Sequence, residues 1–288
     1  MKRRQLLAGA AGVLSVALAG CADPRAVLTM TAVSDEAIAE RASVSPPGRE
    51  SARIVRSAAE NGSATASGTR PPLDVDRSIA FDGAYYDLSR SETRIGDRLR
   101  VTVNVDPGER APDAATIVFE ELSEADRELL GRLVPPPEGR EGAVGASAIY
   151  DDADREASVL VPEAEYGAVE RDGERFPFEV LGSDEVAAYE YRYEATRVAE
   201  DAAAFADRVR SAHLFELAGL SDAEREIVDE AIDSGYYEGS VSDAFSALAE
   251  RFRARDAVEP SDWGGEFLVR YRGTDYWADL HHPPSDSS

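Results

Sequence analysis

Two segments of the chain share one pattern: SEADRELLGRLV at residues 123–134 and SDAEREIVDEAI at residues 221–232 align without a gap. Each begins with a serine, and an acidic residue, Asp126 or Glu224, follows three positions later. This spacing is typical of a capping box, in which both side chains bond free backbone N–H groups at a helix start. Apolar residues then recur at helical spacing, which predicts an amphipathic helix in each segment. Because one pattern occurs twice, the chain is predicted to contain an internal repeat. The alternative is generic supersecondary structure, because capping boxes and Asp-Gly hairpins are common.

A predicted β-hairpin follows each helix and is repeated as well. VERDGERF at residues 169–176 matches VRYRGTDY at residues 269–276, at nearly the same offset as the helices. Asp172-Gly173 favours a two-residue turn, because type I′ geometry needs positive φ at both central positions. Pairing across that turn sets Val169 opposite Phe176 and predicts one apolar face for the hairpin.

A weaker third copy lies nearer the N-terminus. Residues 53–59 align with part of the later helix, and a hairpin signal follows at Asp82-Gly83. These alignments predict three units, which are repeat 1 at 25–92, repeat 2 at 96–183 and repeat 3 at 187–282.

Each unit is predicted to have the order strand, helix or loop, helix, β-hairpin. The opening strands are predicted at 27–33, 99–105 and 189–196. Helices at 35–42 and 200–210 fill the second position in the outer copies, whereas prolines within 107–112 favour a loop in the middle copy. The predicted fold class is α+β, with three tandem copies forming small antiparallel sheets that carry helices on one face.

The charge of the chain is unusual. The 288 residues include 56 acidic and 31 basic ones, which gives a formal net charge of −25. Lys2 is the only lysine, so nearly all basic residues are arginine. This composition resembles that of proteins from extremely halophilic archaea; the alternative is an acidic protein that binds cations or basic partners. Nucleic acid is not expected as a partner, because little here would neutralise phosphates.

The first residues have the pattern of an export signal. Lys2, Arg3 and Arg4 precede an apolar run at 6–18 that is too short to cross a bilayer comfortably. Residues 1–20 are therefore predicted to be a signal peptide. The arginine pair resembles the twin-arginine signal, but the usual aromatic residue and lysine are absent, so the general secretory route stays open.

The apolar run closes with Leu-Ala-Gly-Cys at 18–21, which resembles a lipobox. Cys21 is the only cysteine, and its thiolate is the nucleophile needed for lipid attachment. Residues 21–24 are then lipid attachment site and short tether, and membrane lipid is the partner expected through Cys21. The alternatives are a buried free cysteine or an uncleaved signal anchor. The expected location is the outer face of the cytoplasmic membrane.

The repeated unit adds a second resemblance. A serine-capped acidic helix followed by a glycine-turn hairpin is similar to units in uncharacterised exported proteins and lipoproteins of haloarchaea. That resemblance implies an exported lipoprotein and no particular activity. Residues 283–288 are predicted to be a disordered tail.

A search for catalytic patterns finds none in the sequence. There is no Gly-x-Ser-x-Gly, P-loop, dinucleotide or His-Glu-x-x-His pattern, so no catalytic, cofactor or metal residue is predicted. Of the three histidines, His213 is interpreted as structural, and the adjacent His281 and His282 as incidental.

The densest acidic cluster has no calcium-loop pattern either. Asp151, Asp152 and Asp154 lack the accompanying glycine and glutamate of a calcium loop and are interpreted as a solvated surface turn.

Three aromatic residues are the candidate ligand or partner surface: Tyr236, Trp263 and Trp277. Trp277 alternates with the core-facing Tyr276, so it is expected to point outward unless another unit covers it. Core packing is the alternative for all three.

Three hypotheses of function follow. The first is a non-enzymatic interaction or structural module that binds other cell-surface proteins. The second is a solute-binding lipoprotein with an aromatic cleft between repeats. The third is a hydrolase that uses two carboxylates buried together.

Overall fold

The computed structural model describes residues 25–106, 114–137 and 142–282. Predictions on the signal peptide, on Cys21, on the tether at 21–24, on the loop at 107–112 and on the tail at 283–288 lie outside these residues.

The described residues form seven α-helices and fourteen strands. The helices are α1 Asp35–Ala42, α2 Arg49–Asn61, α3 Glu124–Gly131, α4 Asp152–Ala157, α5 Ala202–His213, α6 Asp222–Asp233 and α7 Asp243–Arg253. The first seven strands are β1 Ala26–Ala32, β2 Ser43–Val44, β3 Ser63–Gly68, β4 Ser78–Phe81, β5 Ala84–Val105, β6 Thr116–Val118 and β7 Val144–Tyr150. The others are β8 Ala168–Arg171, β9 Glu174–Ala199, β10 Phe215–Glu216, β11 Tyr236–Glu238, β12 Glu259–Ser261, β13 Gly264–Tyr271 and β14 Thr274–His281.

The chain divides into two compact units, and each combines helices with a sheet. Unit 1 takes its described residues from 25–44, 83–85 and 198–282, and unit 2 from 45–82 and 86–197. The α+β class predicted from the sequence is therefore confirmed. Three tandem repeats are not shown by this division.

Unit 1 contains a six-stranded sheet of order β10-β13-β14-β1-β11, with β12 on the outer side of β13. Its strands pair antiparallel except for β10, which runs parallel to β13. One face packs on α6 and α7 through a core that includes Leu28, Phe245 and Val269. The other face carries α1 and α5, which pack together over Leu268 and Trp277.

The main sheet of unit 2 contains the series β4-β5-β9-β8-β6, with β3 beside β9 and β7 beside β5. Here β6 runs parallel to β8, while β8 and β9 form an antiparallel hairpin. A core between residues 99 and 180 includes Val101, Leu129 and Tyr150, so this stretch buries its own apolar side chains.

Local signals explain the elements that the sequence predicted correctly. Ser123 caps α3, and Ser221 forms a full capping box with Glu224 at the start of α6. All three hairpin turns have positive φ at both central residues, which only glycine adopts at low cost. These pairs are Asp82-Gly83, Asp172-Gly173 and Arg272-Gly273.

The hairpin registers also agree with the sequence. Val169 lies opposite Phe176, and Val269 lies opposite Tyr276, as the repeat alignment predicted.

Strand pairing departs from the tandem division at two opening strands. β1, assigned by sequence to repeat 1, pairs with β14 and β11 in the sheet of unit 1. The 189–194 part of β9, assigned to repeat 3, pairs instead with β3. Alternation identifies a strand and its apolar face, but it does not identify the neighbour, because many strands offer the same face.

Two further segments correct the sequence interpretation. The sequence predicted no helix or strand at 62–72, yet β3 occupies 63–68. Small residues with weak β propensity concealed this strand. The acidic cluster at 151–154 is no simple turn, because Asp151 and Asp154 form a capping box that begins α4.

Candidate functional site

One face of the unit 1 sheet brings together three residues singled out by sequence, Trp263, Trp277 and His281, and adds several ionisable side chains. Directly opposed residues of antiparallel strands share a face, so the registers arrange this face in three rows. The end row is Tyr237, Val27 and His281, with Trp263 beside them. The carboxylate row is Thr29, Asp279, Glu266 and Glu259. The covered row is Thr31, Trp277 and Leu268.

The end row exposes two large aromatic side chains. Val27 lies opposite both Tyr237 and His281, and the Trp263 ring contacts the His281 ring edge-to-face at 5.6 Å between centroids. Tyr237 is 59% exposed and Trp263 is 50% exposed. Exposed aromatic rings of this size are candidates for contact with another surface.

Gly264 allows the backbone that carries Trp263 to lie close to β14. The Trp263 carbonyl accepts a hydrogen bond from the His282 amide at 2.7 Å. Gly264 has φ 154°, and a Cβ there would lie 1.9 Å from the Leu280 carbonyl oxygen. Only glycine permits this close approach, so the loop holding Trp263 is tied to the end of β14.

The carboxylate row places two acids directly opposite each other. Asp279 on β14 pairs with Glu266 on β13, and the indole N–H of Trp277 donates to Glu266 at 2.6 Å. Desolvation at the sheet surface raises the pKa of Asp279, and the charge of Glu266 raises it further. The neighbouring His281 and Arg41 oppose that shift.

The covered row explains the position of Trp277. It is 2% exposed and packs with α1 and α5 through residues such as Ile38 and Phe205. The guanidinium carbon of Arg41 lies 5.7 Å from the centre of its ring, within cation–π range. The helices of unit 1 therefore cover the face on which Trp277 was expected to point outward.

The three aromatic residues predicted as one surface do not lie on one face. Trp263 and Trp277 belong to the face just described. Tyr236 points to the opposite side of the sheet, where its ring stacks on Phe245 at 5.5 Å and its hydroxyl donates to Glu238. Alternation along β11 makes Tyr237 the exposed neighbour, and sequence reasoning did not single it out.

The two C-terminal histidines lie at the end of β14. His281 is the last residue of β14, and His282 is buried with its ring 5.6 Å from Phe245. Burial lowers the pKa of His282, and the nearby Arg253 lowers it further. His213 lies with Nδ1 3.3 Å from the Asp256 carbonyl oxygen.

Unit 2 contains a buried carboxylate that the sequence identified only as a capping residue. Asp126 is fully buried and accepts hydrogen bonds from the Tyr150 hydroxyl at 2.6 Å, the Ser158 hydroxyl at 2.7 Å and the Val159 amide at 2.9 Å. Burial raises the pKa of Tyr150, and the bond to Asp126 raises it further. These bonds join α3 to β7 and to the segment after α4.

Three grooves in unit 2 have volumes of about 340, 450 and 380 Å³. None of these three is lined by Tyr236, Trp263 or Trp277. Within the described ranges, no group of three His, Cys, Asp or Glu residues is arranged to hold a metal ion. No helix of the described part of the chain has the length and apolar character to cross a membrane.

A scan against protein-family models, a search of curated proteins and a search of solved structures each found no match.

Proposed function

We propose that this chain is an exported lipoprotein of a high-salt organism, held through Cys21 at the outer face of the cytoplasmic membrane. Its folded units serve there as a non-enzymatic interaction or structural module. The signal-peptide pattern of residues 1–20 and the lipobox before the sole cysteine support the location. The lysine-poor acidic composition supports the high-salt setting.

The observation that carries the proposal is the short distance in sequence between Cys21 and the folded body. The described chain enters the sheet at Arg25, whose amide donates to the Glu238 carbonyl at 3.0 Å. Four residue steps span at most about 14 Å, so an anchor on Cys21 would hold unit 1 directly at the bilayer.

Exposed apolar side chains support an interaction role. Tyr237 and Trp263 are exposed on unit 1. On unit 2, Ile95 and Leu181 are each more than half exposed. Both lie on long strands that pair with each other, β5 and β9, and each precedes a glycine with positive φ. Partner proteins of the cell surface would cover such side chains.

Mass spectrometry of protein purified from cell membranes tests the anchor. We expect loss of the first 20 residues and a lipid mass on Cys21, and we expect Cys21→Ser to leave the membrane fraction. A native product that retains Met1 and has no lipid on Cys21 would overturn the anchor.

Crosslinking tests the interaction role. A photoreactive residue at Ile95 or Leu181 should capture proteins of the cell envelope, and one at the exposed Asp152 serves as control. Equal capture at all three positions, together with turnover of a substrate, would overturn the non-enzymatic role.

The internal repetition is part of this proposal in a revised form. We propose three versions of one sheet, in which strands from different parts of the sequence complete each version. The series β6-β8-β9-β5-β7 and β10-β13-β14-β1-β11 support it. In each, the first pair of strands is parallel and the second pair is an antiparallel hairpin. Ile117 pairs with Val169 as Phe215 pairs with Val269, which matches the sequence alignment.

The third version would be the series β4-β5-β9-β3 of unit 2. In this scheme β1 completes the C-terminal version, and the second half of β9 completes the N-terminal one.

Acid–base chemistry at Glu266 and Asp279 is a second candidate function. It is favoured by one observation, the raised pKa of Asp279 opposite a carboxylate fixed by the Trp277 N–H. Hydrolysis of glycoside and ester substrates by the purified protein tests it. Activity that is lost in both Glu266→Gln and Asp279→Asn would support it, and activity unchanged in both would exclude it.

A further inference from the structure

We propose that the end row of the unit 1 sheet is a membrane contact, with Tyr237 and Trp263 inserted at the lipid–water interface beside the anchor. This inference rests on the proposed lipid at Cys21 and adds a second contact, made by the folded surface itself. The occupant of the exposed aromatic surface is a lipid bilayer.

The path of the chain supports a bilayer at this end. Arg25 precedes β1 and bonds to Glu238, the residue after Tyr237, so the chain enters the sheet at the end row. Only three residues separate Arg25 from Cys21, and the largest span of that link is about 14 Å. This distance is about half of a 30 Å hydrocarbon core, so the end row cannot lie far from the bilayer surface.

The width of the row suits a surface contact. Tyr237 is on β11 and Trp263 adjoins β13, with β1 and β14 between them. Adjacent strands lie about 4.8 Å apart, so the two aromatic residues flank the entry strand over about 15 Å. Two contacts on either side of a tether fix the orientation of the body better than the tether alone.

The chemistry of the row fits the interface region rather than the hydrocarbon core. Tyrosine and tryptophan combine an apolar ring with a polar tip and are enriched at the headgroup level of membranes. Val27 and His281 lie between them and are half-buried. One lipid chain gives only reversible binding, and stable anchoring needs a second signal. The end row would supply that signal.

The acidic charge of the chain does not prevent this contact in high salt. Two carboxylates adjoin this row: Asp262, which is exposed and precedes Trp263, and Asp279, which is two residues from His281, or about 7 Å along the strand. At 1 M salt the Debye length is about 3 Å, so repulsion from anionic headgroups is screened at that distance.

The two tryptophans of the chain allow a direct test. Trp277→Phe leaves Trp263 as the sole tryptophan, and Trp263→Phe leaves Trp277. Each lipidated variant is placed in phosphatidylcholine vesicles with brominated acyl chains, in molar KCl. We expect bromine to quench the emission of Trp263 and to leave that of the covered Trp277 largely unchanged. Unquenched Trp263 emission would overturn the inference. This holds both for a ring exposed to water, which soluble acrylamide would quench, and for a ring covered by protein, which acrylamide would not reach.

Vesicle retention provides an independent measurement. Tyr237→Ala and Trp263→Ala should each speed dissociation from vesicles about tenfold, the factor that corresponds to 1.4 kcal/mol. Ile95→Ala and Leu181→Ala remove exposed apolar side chains of unit 2 and serve as controls that should change nothing. Equal effects of all four substitutions would contradict the proposal.

Failure of the anchor is measured separately. Mass spectrometry of the same sample reports lipid on Cys21. If the thiol is unmodified, coupling this sole cysteine to a maleimide phospholipid gives the tethered state for the quenching experiment. Absence of native lipid then contradicts the proposed function, whereas unquenched Trp263 in the tethered protein contradicts the membrane contact.

Discussion

Asp126 and Glu224 are both buried carboxylates three residues after a helix-capping serine, but they bind different partners. Glu224 completes the capping box by accepting from the Ser221 amide and binds the Arg251 guanidinium at 2.8 Å. Burial alone would raise the pKa of Glu224, but the bonds from Ser221 and Arg251 outweigh it and lower the pKa. Asp126 instead turns into the core toward Tyr150. One sequence pattern therefore supports two different networks.

Loss of the Asp126 carboxylate should destabilise unit 2. Asp126→Ala leaves the buried hydroxyls of Tyr150 and Ser158 without their acceptor. Since each unsatisfied buried polar group costs about 1–3 kcal/mol, we expect the free energy of unfolding to fall by about 3 kcal/mol. Urea denaturation in constant molar KCl measures this change. Asp152→Ala is the control, because that side chain is exposed, and an equal loss in both variants would contradict the prediction.

The sequence predicted local features better than partners. Capped helices, hairpin turns and the registers across Asp172-Gly173 and Arg272-Gly273 all depend on residues within one turn or one hairpin. The neighbour of β1 depends on contacts over more than 200 positions, and alternation contains no information about that choice.

The candidate site was predictable only in part. The sequence identified Trp263 and Trp277 as candidate aromatic residues. Their assignment to rows of one face, however, depends on the register between β1, β14 and β13. Tyr237 could have been found by asking which residue alternates with a core-facing Tyr236. The pairing of Glu266 with Asp279 could not, because many acidic residues are spaced similarly in this chain.

The carboxylate row should make stability depend on pH. The pKa of Asp279 in the folded state lies above the unfolded value of about 3.9. Its favourable contribution to the free energy of unfolding is therefore fully present below about pH 3.9. That contribution is lost as the pH rises through the folded pKa. Asp279→Asn should therefore increase the free energy of unfolding at pH 7. The gain should stay below about 1 kcal/mol because the residue is exposed.

Thermal melts of the two proteins at several pH values test this prediction. The difference between Asp279→Asn and the parent should disappear near pH 3, where the parent carboxyl is protonated. Asp152→Asn is the matched control for the loss of one charge at an exposed carboxylate. A stabilisation that persists unchanged at low pH would show that Asp279 does not act through its charge.

Removal of the Trp277 indole should affect stability far more than removal of the Trp263 indole. Trp277→Ala empties a buried ring-sized space under α1 and α5 and frees the Glu266 carboxylate. We expect a loss of about 3–5 kcal/mol, as for other buried aromatic residues. Trp263→Ala removes a half-exposed ring and should cost less than about 1 kcal/mol. Equal losses in urea denaturation would contradict the covered position of Trp277.

The net charge of −25 should make folding depend on salt. Repulsion among the acidic residues weakens as the Debye length falls from about 10 Å at 0.1 M to 3 Å at 1 M. We expect the melting temperature to rise with KCl into the molar range. An uncharged osmolyte at equal water activity is the control, and the same rise with the osmolyte would show that charge screening is not the cause.

β1 is an inner strand of unit 1, so a small change there should weaken this unit alone. Leu28 is fully buried between β14 and β11, opposite Leu280 and Tyr236. Leu28→Ala should cost about 3 kcal/mol because the cavity lies in the core under α6 and α7. The neighbouring Thr29 points to the opposite face and is half-buried, so Thr29→Ala is the matched control.

Hydrogen exchange distinguishes this arrangement from the one that the sequence predicted. If β1 stabilises the unit 1 sheet, Leu28→Ala should reduce the protection of amides in β13 and β14 and leave β3 unchanged. The tandem division assigned β1 and β3 to the same repeat, so loss of protection in β3 with β13 and β14 unaffected would favour that division. Tyr237 lies on β11 and Trp263 adjoins β13 in the same sheet. Loss of protection in the unit 1 sheet would therefore also weaken the end row.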